Sequence, residues 1–340
     1  MGKRVVGRPT LADVAERAGM SKAAVSMVLN DRPDTRLSAD AARRIRLAAQ
    51  ELGYRPNPVA QSLRSGRTRT IGFISDEVTI TRYASGMIRG VLDAARGYEH
   101  TVLMAETAGK HNLADAVREM ADRRVDGLLI GLMAARLVDV PEVPQGLPLV
   151  LVNGMSSQGY PSVLPDERSA GDAVARYLLG RGHRAIGIIG DLPEIAADLR
   201  RSATIAERFA GITEALDDAG VVPIRLTLAQ WGPEIGYRST HHLLDIHPHL
   251  TAIIAGNDSV AFGIYQALAE RHLQVARDVS VISFDDDEFA VFLRPGLTTA
   301  RLPYAEMATY GVDMLLGRRE AGQARLPMPL IERDSVRDLR

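Results

Sequence analysis

The 340-residue sequence contains no cysteine. That excludes a disulfide scaffold, thiolate metal sites and cysteine nucleophiles, and it is compatible with a reducing cytoplasm. No run of about 18 apolar residues occurs that would read as a membrane span. The first residues, MGKRVVGRPT, are basic, but the apolar segment of a secretory signal does not follow them. The chain therefore reads as a cytoplasmic protein without a membrane partner. Catalytic signatures are missing too. There is no GxxxxGK[ST] phosphate loop, no GxGxxG after the first strand, no GxSxG elbow and no HExxH pair. At this length, two or three domains are expected, each able to bury a core.

The net charge of −1 conceals an asymmetry. Residues 1–69 hold 14 Lys and Arg against 6 Asp and Glu, a balance of +8, whereas the remainder carries −9. A small basic segment on a large acidic body outlines a polyanion reader with a separate module, the alternative being a basic solvated tail.

Patterning speaks against a tail. In "TLADVAERAG", Leu11, Val14, Ala15 and Ala18 fall on one helical face, with Thr10 and Asp13 placed as a near capping box and Gly19 as a stop. Ser21 is positioned to cap a second helix that turns Val25, Val28 and Leu29 inward. Two short helices joined by a glycine-containing turn make a helix-turn-helix. A third helix is expected from Ser38, with Ile45, Ala49 and Leu52 inward. On the second helix Lys22, Ala23, Ser26, Met27 and Asn30 would face outward, and small residues there let a helix seat deeply in a major groove. An ordinary three-helix bundle is the plainer alternative.

The next stretch, "YRPNPVAQSLRSGRTRT", offers Asn57 as N-cap, Pro58 at the first helical position and a Ser-Gly stop. A helix this short is marginal alone in water and needs support from a second copy and from DNA. Leu63 would then wedge into the minor groove with Arg64 near phosphate. Otherwise the stretch is a basic linker.

The run TLADVAERAGMSKAAVSMVLN with LSADAARRIRLAAQELGYRPNPVAQSLRSGRTRTIGFI resembles the headpiece and hinge of the LacI/GalR family of bacterial transcription regulators. GHRAIGIIGD, AIIAGNDSVAFGIYQAL, DVSVISFDDDEFA and PGLTTARLP extend the resemblance over nearly the whole chain. Members often carry an arginine where Met27 stands, and that arginine commonly reads a guanine. Methionine makes no bidentate contact, so the usual operator code does not carry over. The residues expected at DNA are Thr10, Ser21, Lys22, Ala23, Ser26, Met27, Asn30, Arg36, Asn57, Ala60, Leu63 and Arg64.

From about residue 70, apolar runs such as "TIGFIS", "HTVLMAE", "VDGLLIGL", "LPLVLVNG", "AIGIIGD", "TAIIAGN" and "VSVISFD" alternate with helical segments at 84–97, 167–181, 203–219 and 258–271. This predicts parallel sheets covered by helices, an α/β body, without separating one large sheet from two. The resemblance implies two similar subdomains flanking a cleft, akin to periplasmic sugar-binding proteins. The expected division is a headpiece at 1–56, a hinge at 57–69 and a body at 70–340. Within the body, an N-subdomain at about 70–181 and 297–328 would flank a C-subdomain at about 182–296, with a third crossing near 328.

Two clusters suggest metal and fall short of it. "HHLLDIHPH" places four histidines in nine residues, but their spacing fits no standard site and Pro248 interrupts the helix. "DDDE" at 285–288 reads as a helix cap or a polar-ligand site. No metal and no cofactor are expected.

Ligands of open α/β sheets lie at the carboxyl ends of strands, where Asn257 and Asp285 fall. Trp231, the only tryptophan, would add a stacking face suited to a polyhydroxylated ring. Alternatively Trp231 packs in the core and Asn257 caps a helix. The resemblance adds Arg208, in "ERFAG", as a binder of effector hydroxyls, with Tyr83 and Asp166 as further cleft positions. It also shows two departures: Ser283 replaces a family glycine, and "ADLRRSATIAE" before Arg208 is longer than usual. The expected protein is a homodimeric repressor of a near-palindromic double-stranded operator, switched by a mono- or oligosaccharide. A corepressor-dependent regulator or activator is the alternative, followed by a cytoplasmic sugar-binding protein or a cleft enzyme. The C-terminal RLPMPLIERDSVRDLR shows no leucine heptad, so a coiled-coil tetramer tail is not expected.

Overall fold

The computed structural model describes residues 9–30, 37–55, 57, 66–79, 85–107 and 112–340. It divides into two units, Met1–Arg69 and Thr70–Arg340. Arg36, Ala60, Leu63, Arg64 and Tyr83, and the expected hinge helix after Asn57, lie outside the described residues.

In the first unit, α1 (Leu11–Ala18) begins with a full capping box: the Thr10 hydroxyl accepts from the Asp13 amide, and the Asp13 carboxylate accepts from the Thr10 amide at 2.7 Å. Gly19, with φ of 64°, adopts the left-handed conformation that ends the helix. Ser21 caps α2 (Lys22–Leu29) by accepting from the Ala24 amide at 3.2 Å, and Ser38 caps α3 (Ala39–Glu51) in the same way. The three helices enclose Val14, Val25, Val28, Ile45 and Ala49, and an Arg17–Glu51 ion pair ties α1 to α3 at 2.7 Å.

In the second unit the chain first builds β1 (Thr70–Asp76), α4 (Ser85–Gly97), β2 (Thr101–Glu106), α5 (Leu113–Asp122), β3 (Gly127–Val138), β4 (Leu149–Ser156) and β5 (Ser162–Pro165). It continues through α6 (Glu167–Gly180), β6 (Ile186–Asp191), α7 (Pro193–Ala196), α8 (Ile205–Asp218), β7 (Ile224–Thr227) and α9 (Pro233–Ile246). There follow β8 (Ala252–Ala255), α10 (Asp258–Glu270), β9 (Ser280–Asp285), a 3-10 turn (Glu288–Val291) and β10 (Thr298–Arg301). The last elements are α11 (Tyr304–Leu315), β11 (Gln323–Leu326) and β12 (Leu330–Ile331).

Two six-stranded sheets result, ordered β11-β5-β4-β3-β1-β2 and β12-β10-β9-β8-β6-β7. All pairings are parallel except that of β10 with β12. Their central strands are buried along nearly their whole length, as in β1, β4 and β9, because helices cover both faces.

The two sheets define two subdomains, and the chain crosses between them at places that differ from those expected. Helix α6 belongs to the second subdomain, not the first: Ala170, Val174 and Leu178 pack with Ile188, Ile212 and Leu216. The first crossing therefore lies between Pro165 and Glu167 instead of near 182. Strand β10 pairs with β9 through Thr298 to Arg301, so the second crossing follows Arg301 instead of preceding residue 297. The third lies between Leu326 and Leu330.

Close helix contact sets up the interior of the second subdomain. A side chain at Gly171 would overlap the Arg208 carbonyl, and one at Gly211 would overlap that of Arg168. Two glycines facing each other let α6 and α8 touch backbone to backbone. The start of α6 is thereby pressed against Arg208.

Candidate functional site

Each unit presents a candidate surface. In the first, Ser21, Lys22 and Ala23 at the start of α2 are exposed, while Ser26, Met27 and Asn30 are partly covered. The Asn30 amide donates to the Ser26 carbonyl at 2.6 Å and to its hydroxyl at 3.3 Å, so these two polar side chains are held together. The exposed start of α2, Ser21 to Ala23, carries a hydroxyl, a cation and a methyl, and Met27 adds a partly covered thioether. Lys22 can meet a phosphate or a guanine edge, and the methyl and thioether can meet the apolar edges of bases. Thr10 and Ser21 sit at helix starts with their hydroxyls engaged on their own backbones. Asn57 is exposed.

In the second unit a cavity of about 680 Å³ opens between the subdomains. The first subdomain contributes Met133, Asn153 and Tyr304, and the second contributes Arg208, Trp231, Asn257 and Asp285. The volume lies within the range of small-molecule sites.

Arg208 is the buried centre of this wall. Its Nε and Nη2 donate to the two oxygens of Glu167 at 2.6 and 2.8 Å, and its Nη1 donates to the Gly256 carbonyl at 2.6 Å. Asp285 Oδ1 lies 3.6 Å from Nη2. The guanidinium carbon is 4.4 Å from the centre of the Phe284 ring and 5.3 Å from that of Trp231. Trp231 is fixed by donation from Nε1 to the Gly190 carbonyl at 2.7 Å. Its indole lies so close to Gly256 that a side chain there would collide with it.

The carboxylates around Arg208 are perturbed. Burial pushes the Asp285 carboxyl up to about 6, against the attraction of Arg208 and with Glu167 and Asp287 adding repulsion. Burial also pushes Asp258 up to about 8, aided by Asp285, while hydrogen bonds from the Asp287 amide and Thr299 hydroxyl work the other way. Asp285 and Asp286 both have positive φ, 107° and 56°. Such conformations are costly for residues with side chains and cluster at binding sites. The Tyr304 hydroxyl donates to the Met133 carbonyl at 3.2 Å, and burial raises its pKa.

The expected effector residues divide. Arg208, Trp231, Asn257 and Asp285 line one cavity. Asn257 also caps α10, accepting from the Val260 amide at 3.0 Å, so its capping alternative and its cavity position coexist. Asp166 does not reach the cavity: it caps α6 by accepting from the Ser169 amide at 3.2 Å, and the next residue, Glu167, points inward instead. Asn153 was not singled out by the sequence. It ends the apolar run of β4, has φ of 58°, and donates through Nδ2 to the Leu132 and Met133 carbonyls. Its Oδ1 is buried without a hydrogen-bond partner among the described residues, and the residue lines the cavity.

Comparison with known proteins places both units. A family model described as bacterial regulatory proteins, lacI family, matches residues 10–57, and one described as a periplasmic binding protein-like domain matches 175–336. The chain is similar to an HTH-type transcriptional repressor PurR of Erwinia tasmaniensis, 34% identical over 342 residues and 97% of each chain. It is also 34% identical, over 317 residues, to an uncharacterized HTH-type transcriptional regulator in the aml 5' region of Streptomyces limosus, covering 91% of this chain and 87% of that one. Among solved structures, a Lac repressor dimer bound to operator and the anti-inducer ONPF aligns with a TM-score of 0.77 at 25% identity. That alignment covers 97% of this chain and 99% of the repressor. A LacI family transcriptional regulator from Enterococcus faecium with bound ribose aligns with a TM-score of 0.63 at 26% identity, covering 80% and 100%.

Proposed function

Given that the chain belongs to the lacI family of bacterial regulatory proteins, we propose that it is a dimeric transcriptional repressor. Helix α2 enters the major groove of a near-palindromic operator, and a small polyhydroxylated effector, a sugar, binds the cleft between the subdomains. The observation that carries this reading is the cavity wall. Arg208, Asp285, Asn257 and Asn153 line one cavity with the indole of Trp231, a combination of polar groups and an apolar face suited to a hydroxyl-bearing ring. No turnover is proposed for this site, and the working compartment is the cytoplasm.

Binding is coupled to DNA because the cleft joins two subdomains whose relative placement an effector changes. Whatever ligand weakens operator binding is itself bound more weakly when operator is present, typically by about 5- to 150-fold. Arg208 is held by Glu167 and Gly256, so an effector meets a preset guanidinium.

Selection of binding sites from random-sequence DNA tests the assignment. The expected product is one enriched motif with two-fold symmetry, lost when Lys22 and Met27 are both changed to Glu. Enrichment of no motif, or of one that survives that change, would remove α2 from the proposed role.

A further inference from the structure

The segment between α7 and α8 joins the two subdomains at a place where no covalent crossing exists. Strand β1 accompanies β3 only as far as the pair Asp76–Leu132, while β3 continues to Val138 along β4. Beyond Leu132, therefore, the edge of β3 turned away from β4 has no neighbouring strand among the described residues. Residues of the other subdomain take that place. The Ala203 amide donates to the Ala135 carbonyl at 2.7 Å, and the Leu137 amide donates to the Leu199 carbonyl at 2.8 Å. Arg200 Nη1 donates to Asp139 Oδ2 at 2.8 Å.

The segment is shaped for this contact by its own hydrogen bonds. The Asp198 carbonyl accepts from the amides of Arg201 and Ser202 at 2.9 Å each, and the Asp198 carboxylate accepts from the Arg200 amide. Ser202 Oγ accepts from the Ile205 amide at 3.1 Å, anchoring the far end to the start of α8. On the inner side Arg201, Ser202 and Thr204 line the cavity, opposite Ala134 and Ala135. A preformed turn from one subdomain thus completes a strand edge of the other along the cavity wall.

We infer that residues 198–203 form a releasable clasp, which ties the two subdomains together beside the cavity and must let go before the cleft opens further. Two backbone hydrogen bonds and one exposed ion pair are strong enough to bias closure and weak enough to break on binding. The restraint is a property of this segment's own contacts. It holds whatever the ligand is.

Because the chain has no cysteine and a single tryptophan on the cavity wall, the test needs no ligand. In a Leu137→Cys/Leu199→Cys variant, the two thiols should couple under mild oxidant in the ligand-free protein. The oxidised form should then show Trp231 quenching by acrylamide about twofold weaker than its reduced form. In an Arg200→Ala/Ala203→Pro variant, quenching should rise by about twofold or more. Should Ala203→Pro unfold the body, Arg200→Ala alone serves, with a smaller rise expected. Equal quenching of reduced and clasp-weakened proteins, or of oxidised and reduced proteins once the thiols have coupled, would overturn the clasp.

Discussion

Replacing Arg208 by methionine separates a structural role of this residue from a ligand-binding one. The side chains of Arg208 and Glu167 are only 3% and 4% exposed, and two hydrogen bonds join them. Removing the guanidinium leaves the Glu167 carboxylate buried without its counter-charge and takes a donor from the Gly256 carbonyl. Breaking a buried pair on one side costs about 3–5 kcal/mol, whereas removing both charges is far milder. Arg208→Met should therefore lower the unfolding free energy by about 3 kcal/mol or more, and Arg208→Met/Glu167→Gln should recover much of that loss. The same change removes the attraction that restrains Asp285, whose carboxyl pKa should climb further above about 6. Urea denaturation followed by far-ultraviolet circular dichroism measures the loss. A single-variant cost below about 1 kcal/mol, the value of a surface pair, would refute the reasoning, as would a double variant no more stable than the single. A lost effector response in Arg208→Ala then counts as evidence for ligand contact only if that variant is still folded.

Three further outcomes follow from the same structure. Asp258, raised from 3.8 to about 8, keeps its proton when folded and loses it when unfolded between those values. Stability should therefore fall as pH rises through that window, by up to about 1.4 kcal/mol per unit from this one group, and Asp258→Asn should flatten the slope in melts between pH 5 and 8. Met27→Arg should shift the selected operator toward guanine at the base facing that position, with discrimination of about 1–3 kcal/mol measurable by competition binding; an unchanged motif would show that Met27 does not face bases. Ser21→Ala removes the cap of α2 and should destabilise the headpiece by about 1 kcal/mol, weakening all DNA sequences alike in anisotropy titrations.

Much of the architecture was legible because its signals are local. Six of the seven apolar runs are interior strands and the seventh is the edge strand β2, and Thr10, Asp13, Ser21 and Ser38 mark helix starts by chemistry that acts over three residues. The short strands β5 (SVLP) and β7 (IRLT) went unread because each mixes polar residues or proline with its apolar ones, whereas the equally short β8 is wholly apolar, AIIA. The crossings were misplaced for a different reason. The apolar stripe of α6 shows that it packs on something, but only the Gly171–Gly211 contact with α8 determines which sheet. Glu167 was missed because Asp166 beside it took the strand-end position, and the cap it forms sends the two side chains to different places. Asn153 was within reach. The rule that selected Asn257 and Asp285 at strand ends also points to the end of the apolar run in β4.

The central claim is that occupancy of the cleft changes the hold on DNA, and anisotropy of the purified protein on a fragment from upstream of its own coding region, at fixed salt with a panel of sugars, tests it most directly. Tight binding that one sugar weakens by about 5- to 150-fold is expected. Tight operator binding that no sugar changes, with the same sugars leaving Trp231 fluorescence unaltered, would contradict it.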